Sequence, residues 1–391
     1  MSRSYVWTSE YVSPGHPDKV ADQISDSILD LYLQHDPDAR VACETMVKGN
    51  SVYIAGEITS KADFLAESDF ETIKKTIRNT ISSIGYVHPE FGFHSESCSI
   101  HMNISAQSPE INRNVDKNNS LGAGDQGIMF GFATNDTPTK MPLAIYLAKE
   151  IVQYAYGLIF TEFANKDILR PDMKSQISLQ YKNGNAAYID SVVLSCCHSQ
   201  SISLKQLQEL FHDKILYDIK SIIPEHIHSL FTKETKYYIN PAGEWNIGGP
   251  VSDCGLTGRK IVVDQYGADC EIGGGAFSGK DPSKVDKSAA YMARHIALKT
   301  LAAHEHANNI KVQLAYAIGQ EFPVSYRVYD STGKEYSLGS FSLNDLTPSA
   351  IIERFQLQNP MYYLTSHNGH FGNRSFMKNG IKYYAWEDIT E

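Results

Sequence analysis

The run Gly273–Asp286, GGGAFSGKDPSKVD, sets flexible glycines beside two lysines and two aspartates. That mixture suits polyphosphate chemistry. Glycine lets backbone N–H groups come close to an anion. Lys280 and Lys284 supply positive charge, and Asp281 and Asp286 offer oxygen ligands to a divalent metal. A second run, Ser13–Asp18 (SPGHPD), puts a histidine and a carboxylate close together. Two such runs in one acidic chain point to an enzyme that handles a polyphosphate with divalent metal.

Each run also has a plainer explanation. Gly274–Lys280 matches the start of a P-loop, GxxxxGK, but Asp281 stands where a magnesium-binding Ser or Thr belongs. No buried apolar strand leads into it, so a P-loop fold is disfavoured while the anion cradle survives. A helix starting near Lys284 would add its positive dipole end, with Lys284 and Asp286 in the first turn. GLTGRK at Gly255–Lys260 sets Arg259, a planar phosphate fork, next to Lys260, a point charge. Alone it reads as a solvated basic turn before a strand Ile261–Asp264. Beside Asp253 and the glycine-rich run downstream, it reads as part of a site. His16 and Asp18 flank Pro17 at a helix start, where they serve either as helix punctuation or as phosphate and magnesium contacts. Spacing does not decide between these. In GAGDQG, Asp125 sits in a glycine turn, either as turn chemistry or as a carboxylate facing a cationic substrate.

The elements that must position these groups repeat one order three times. A helix near Asp18–Gln34 precedes strands Val41–Val47 and Ser51–Thr59, joined at Gly49–Asn50. A helix near Asp69–Ile84 and a strand Ser97–Ile104 complete the unit. The second unit is helix Leu143–Gly157, strands Gln176–Tyr181 and Ala187–Cys196, helix Leu204–Ile222 and strand Lys236–Asn240. The third is helix Lys284–Ala302, strands Lys311–Ile318 and Val324–Tyr329, helix Pro348–Phe355 and a strand Met361–Leu364. The expected fold is α+β: three similar sandwich-like units with pseudo-threefold symmetry and helices on one face of each sheet. The division is 1–106, a mobile loop 107–120, 121–246 and 247–391, with segments free to interleave. The linker Gln107–Asn119 is polar and aperiodic, as in a mobile loop or an ordinary surface connection. Gly243–Gly258 is dense in glycine, as where a backbone approaches a ligand closely.

The 391 residues are too many for one ordinary core. A formal net charge of −10 argues against a nucleic-acid binder, though not against a local basic pocket for a small anion. No apolar run could span a bilayer, and Met1–Glu10 lacks the apolar stretch of a secretory signal. The six cysteines include no CxxC pair, so they read as small buried residues in a reducing cytosol.

Several runs together resemble the S-adenosylmethionine synthetase (methionine adenosyltransferase) family. They are GHPDKVADQISD, ACETMV, GEIT, QSPEIN, GAGDQGIMFG, LRPDMKSQ, GGPVSDCGLTGRKIVVD and GGGAFSGKDPSKVDKSAAY, in family order from Ser9 to about Ile318. The resemblance fades beyond, although GHFG at Gly369–Gly372 also fits. It implies a pseudo-threefold, three-domain fold and a homodimer or homotetramer with active sites at the dimer interface. It implies synthesis of S-adenosylmethionine from ATP and L-methionine: sulfur attacks C5′, triphosphate leaves, and triphosphate is then cut to pyrophosphate and phosphate. By this resemblance His16, Lys174, Arg259, Lys260, Lys280 and Lys284 line the triphosphate path. Asp172, Glu244, Trp245, Asp253 and Ala276 join them around ATP. Glu57, Gln107, Asp253 and Lys284 match methionine contacts. Asp18 and Asp286 would hold paired magnesium ions, and Glu44 lies at the potassium position. Asp125 and Asp253 would favour the sulfonium product, and Gln107–Lys117 matches a mobile lid. The chain departs from the family at Glu244–Trp245, where Arg–Phe is usual. Trp245 keeps an aromatic face while Glu244 reverses a charge. Met173 replaces a small residue, and His101–Met102–Asn103 is more polar than the family pattern. The rival readings are a phosphotransferase or triphosphate hydrolase on the same cradle, and a regulatory subunit that holds nucleotide without turnover.

Overall fold

The structure is a computed structural model describing residues 4–66, 70–107, 116–117, 120–164 and 166–390. Most of the linker expected to be mobile lies outside the described residues.

Three antiparallel hairpins organise the chain: Arg40–Lys48 with Ser51–Thr59, Leu169–Lys182 with Asn185–His198, and Asn309–Tyr316 with Ser325–Tyr329. The second closes through Asn183 and Gly184, at φ 53° and 86°, the left-handed pair that matches strand twist in a tight hairpin. In the first two units a helical crossover returns a third strand parallel to the hairpin. Ser99–Ser105 lies beside Ser51–Thr59, and Lys236–Ile239 beside Asn185–His198. The crossovers are Glu71–Ile84, which buries Ile73, Ile77, Ile81 and Ile84, and Leu204–Ile222, broken by a π-turn at Phe211–Ile215.

The third unit departs from this plan. Met361–Leu364, expected as a strand, enters the helix Tyr362–Asn368. The cause is a distant carboxylate: Asp30 accepts the Tyr362 and Tyr363 N–H groups at 2.9 and 2.8 Å and so caps a helix start. Ile261–Asp264, also expected as a strand, forms one helical turn. Its Asp264 is drawn inward to the Lys19 ammonium at 2.6 Å.

Each hairpin borrows its outer strand. Ser4–Val12 pairs with Leu169–Lys182, Gly127–Thr134 with Asn309–Tyr316, and Gly255–Leu256 with Arg40–Lys48, all antiparallel. In sequence these strands precede the helices Pro17–His35, Leu143–Gly157 and Val285–Ala303, which pack on the first, second and third sheets. The first unit thus lends a strand to the second, the second to the third, and the third to the first. This closed exchange makes one α+β molecule of three related units.

Close helix–strand approach sets the core. Val285–Ala303 carries Ala289, Ala290, Ala293 and Ala297, all buried. Gly131 lies against that helix so tightly that an added Cβ would meet the Ala293 carbonyl at 2.1 Å. Arg294, fully buried, binds both carboxylate oxygens of Glu387 at 3.0 and 2.9 Å and ties the C-terminal segment to the same helix. Gly131→Ala is therefore expected to cost about 1–3 kcal/mol in denaturant unfolding, through overpacking. Gly157→Ala, where a Cβ would meet nothing within 4 Å, is expected to hold or raise stability.

Candidate functional site

One helix face positions the chemistry-bearing loops. Along Pro17–His35, Asp18, Asp22, Asp26 and Asp30 recur every four residues and share one face. Asp18 accepts the Leu256 N–H at 3.0 Å, Asp22 the Gly258 N–H at 2.8 Å, and Asp26 the Gly279 N–H at 2.8 Å. Asp30 caps the helix at Tyr362. Sequence reasoning singled out Asp18 alone. The four-residue spacing groups the others on one face but names no partner for them.

Around Asp18 the cations gather. Lys260 Nζ lies 2.6 Å from Oδ2, and Arg259 Nη1 3.8 Å from Oδ1. Burial opposes the Asp18 charge, but the Lys260 ammonium and the Leu256 N–H outweigh it and hold the pKa below the usual carboxylate range. His16 is the N-cap: its Nδ1 accepts the Asp18 N–H at 3.2 Å. Burial, then the Lys260 and Lys174 charges, push the imidazole down to about 3. His16 is therefore neutral at physiological pH. With Nδ1 an acceptor, its proton sits on Nε2. Asp253 and Lys174 stand near enough to act electrostatically on both His16 and Asp172. Lys174 also pairs with Glu10 at 3.4 Å, a residue the sequence did not mark.

The second group grows from the glycine-rich run. Cys43 N–H donates to the Gly279 carbonyl and Asp281 N–H to the Val41 carbonyl, at 2.9 and 3.0 Å. The run thus lies along the edge of the first hairpin, a setting unlike a P-loop. Lys280 Nζ meets Asp286 Oδ2 at 2.6 Å, with Asp286 in the first turn of Val285–Ala303 as expected. Lys280 also acts on the Glu44 carboxylate. Asp281, read from sequence as a possible metal ligand, is not available for one. It is fully buried, and its oxygens take the Val41 N–H at 2.8 Å, the Ser283 N–H at 3.0 Å and hydroxyl at 2.6 Å, and the Lys284 ammonium. The two groups touch where Gly258 faces Ala276, at 2.5 Å from an added Cβ.

Three family models match this chain: the N-terminal domain of S-adenosylmethionine synthetase over residues 4–109, the central domain over 120–245 and the C-terminal domain over 247–384. The chain belongs to the S-adenosylmethionine synthetase family. It is a methionine adenosyltransferase, and the family makes S-adenosylmethionine from ATP and methionine with a divalent metal. No helix among the described residues is long and apolar enough to cross a membrane.

The other synthetase positions lie more openly. Glu57, Ala42 and Lys280 share one row across the first sheet, and the Gln107 N–H donates to Thr59 Oγ1 at 3.1 Å. Asp125 is exposed, in a loop whose Gly124 and Gly127 pack near Ser283 and Asp286. Glu244 is exposed, while Trp245 is tied down by the His198 N–H at 2.9 Å and through its own indole N–H to Ile247 at 2.7 Å.

Asp172 is buried and accepts the Gly249 N–H at 2.6 Å. Burial pushes its carboxyl up to about 7, with Asp253 adding to the rise and Lys174 opposing it. A raised carboxyl contributes its full stability below the unfolded value of 3.8 and loses it as pH rises through about 7. Asp172→Asn should therefore gain thermal stability relative to the parent between pH 4 and 8, as followed by melting at each pH.

Proposed function

We propose that methionine sulfur attacks C5′ of ATP and expels the whole triphosphate, which is then cut to pyrophosphate and phosphate before release. Sulfur is a strong nucleophile and needs no general base. The protein must instead align two substrates and stabilise a highly charged leaving group. The observation that carries this reading is the state of His16, a neutral imidazole with Nδ1 already engaged. It can donate through Nε2 to a leaving oxygen, but the buried cationic setting makes it a poor base.

Lys174, Arg259, Lys260, Lys280 and Lys284 supply the positive lining of the triphosphate path. Asp172, Glu244, Trp245, Asp253 and Ala276 surround the nucleoside, with Trp245 offering an aromatic face. Glu57, Gln107, Asp253 and Lys284 hold methionine, and Asp125 and Asp253 favour the sulfonium. Asp18 and Asp286 suit magnesium, which is usually held by one or two carboxylates and completed by water and phosphate oxygens. Glu44 is the candidate potassium ligand. Bound there, the ions would offset charge on the triphosphate oxygens.

A homodimer, alone or paired into a tetramer, fits the open face of the first sheet. Glu44 and Glu57 lie on it, as does Tyr53, 40% exposed and stacked on His101 at 4.8 Å. The site would be completed there by a second copy. A cytosolic setting follows from the scattered cysteines, and the acidic charge speaks against a nucleic-acid partner.

The test is incubation with ATP, methionine, magnesium and potassium. S-adenosylmethionine should form, and triphosphate cleavage should depend on methionine. ATP loss that ignores methionine, with no sulfonium product, would favour a phosphohydrolase and overturn the proposal. Lys280→Met should lower turnover by about a hundredfold or more while circular dichroism and melting stay close to the parent. Near-normal turnover would remove Lys280 from its role.

A further inference from the structure

We propose that Asp22 and Asp26 are positioning residues for this reaction, each gripping both ends of a cation-bearing segment from one face of the helix Pro17–His35. The inference rests on the function proposed above and deepens it. Both side chains are fully buried, so neither touches substrate.

Asp22 Oδ1 takes the N–H of Gly258, the residue before Arg259 and Lys260, at 2.8 Å. Its Oδ2 lies 3.0 Å from Lys19 Nζ, which reaches Asp264 at 2.6 Å, at the end of the turn that follows Lys260. Arg259 and Lys260 are thus bracketed at Gly258 and at Asp264. Asp26 repeats the device. Its Oδ1 takes the N–H of Gly279, the residue before Lys280, at 2.8 Å, and faces Lys287 Nζ at 3.5 Å. Lys280 and Asp286 are thus bracketed at Gly279 and at Lys287. Gly258 and Gly279 both have left-handed φ, 78° and 76°. An added Cβ would meet Ala276 at 2.5 Å or the Cys43 carbonyl at 2.0 Å. Both turns therefore need glycine, and in both the N–H points back at the helix.

The two arrangements match part for part: buried carboxylate, left-handed glycine, cation, and a buried ion pair beyond. Buried ion pairs add little net stability over apolar packing of the same volume. What the charges supply is a defined place for each loop.

The experiment compares Asp22→Ala, Asp26→Ala and the corresponding Asn variants with Asp36→Ala. Asp36 takes the Lys61 N–H at 2.7 Å in a loop outside the site, so its variant reports a structural tether alone. The measurements are kcat, KM for ATP, melting temperature, and inorganic tripolyphosphate affinity by calorimetry. The alanine variants should lose about tenfold or more in kcat at saturating ATP and about tenfold in tripolyphosphate affinity. The Asn variants, which keep an acceptor for the glycine N–H, should recover part of both. Asp36→Ala should melt earlier with kcat unchanged. Alanine variants that only melt earlier, with kcat and tripolyphosphate affinity within about twofold of the parent, would overturn the proposal. If alanine blocks folding, Asp22→Glu and Asp26→Glu decide. They keep the charge and lengthen the arm, so parental kcat in both would overturn it. If the parent binds tripolyphosphate but makes no S-adenosylmethionine, the function fails, and the affinity comparison still judges the positioning.

Discussion

A carboxylate withdrawn from water must be met by donors or lose its charge. That rule governs the helix Pro17–His35. Four aspartates on one face each accept a backbone N–H from a segment beyond Gly255, and the Lys260, Lys19 and Lys287 ammonium groups face three of them. The loops that carry Arg259, Lys260 and Lys280 meet regular structure only at the short Gly255–Leu256 strand and at the Ala42–Lys280 bridge. The aspartates add a fixed point at Gly258 and another at Gly279. Lys19 and Lys287 complete the charge balance, Lys287 also lying over the Tyr362 ring at 3.8 Å.

The same helix joins fold to chemistry at its first turn. His16 caps it, Pro17 begins it and Asp18 turns toward Lys260. Burial and the Lys260 charge keep the imidazole neutral, and the cap fixes which nitrogen keeps the proton. Helix punctuation and function, which the sequence left as alternatives for His16 and Asp18, turn out to be compatible. One geometry serves both.

The repeated helix–strand–strand–helix order was legible because each helix has a 3.6-residue apolar period and each strand a period of two. Turn residues at Gly49–Asn50 and Asn183–Gly184 marked the hairpins. The borrowed strands were not legible. Ser4–Val12 and Gly127–Thr134 are set by pairing with partners far along the chain, which local pattern does not contain. Ile261–Asp264 and Met361–Leu364 misled for the same reason. Both are apolar and strand-like, and both are bent into helix by ties to the Pro17–His35 helix, at Lys19 and Asp30. In the site, the glycine–lysine runs announced themselves by composition. Asp22 and Asp26 did not, since an aspartate in a helix reads as a solvated face until its partner loop is known. Asp281 misled in the opposite direction: its position beside Lys280 suggests a ligand, but its donors are all internal.

The lent strands also constrain how the molecule is born. Ser4–Val12 leaves the ribosome well before its ladder partner, as the Thr8–Ser178 hydroxyl contact shows across 170 positions. At roughly 5–20 residues per second, that strand waits on the order of ten seconds or longer with its edges unpaired. Tyr5, Val6 and Trp7, partly exposed even in the folded chain, are the apolar side chains that it presents during that interval. Nascent chains of this architecture should therefore lean on chaperones early, and the first sheet cannot be finished until Gly255–Leu256 has been made.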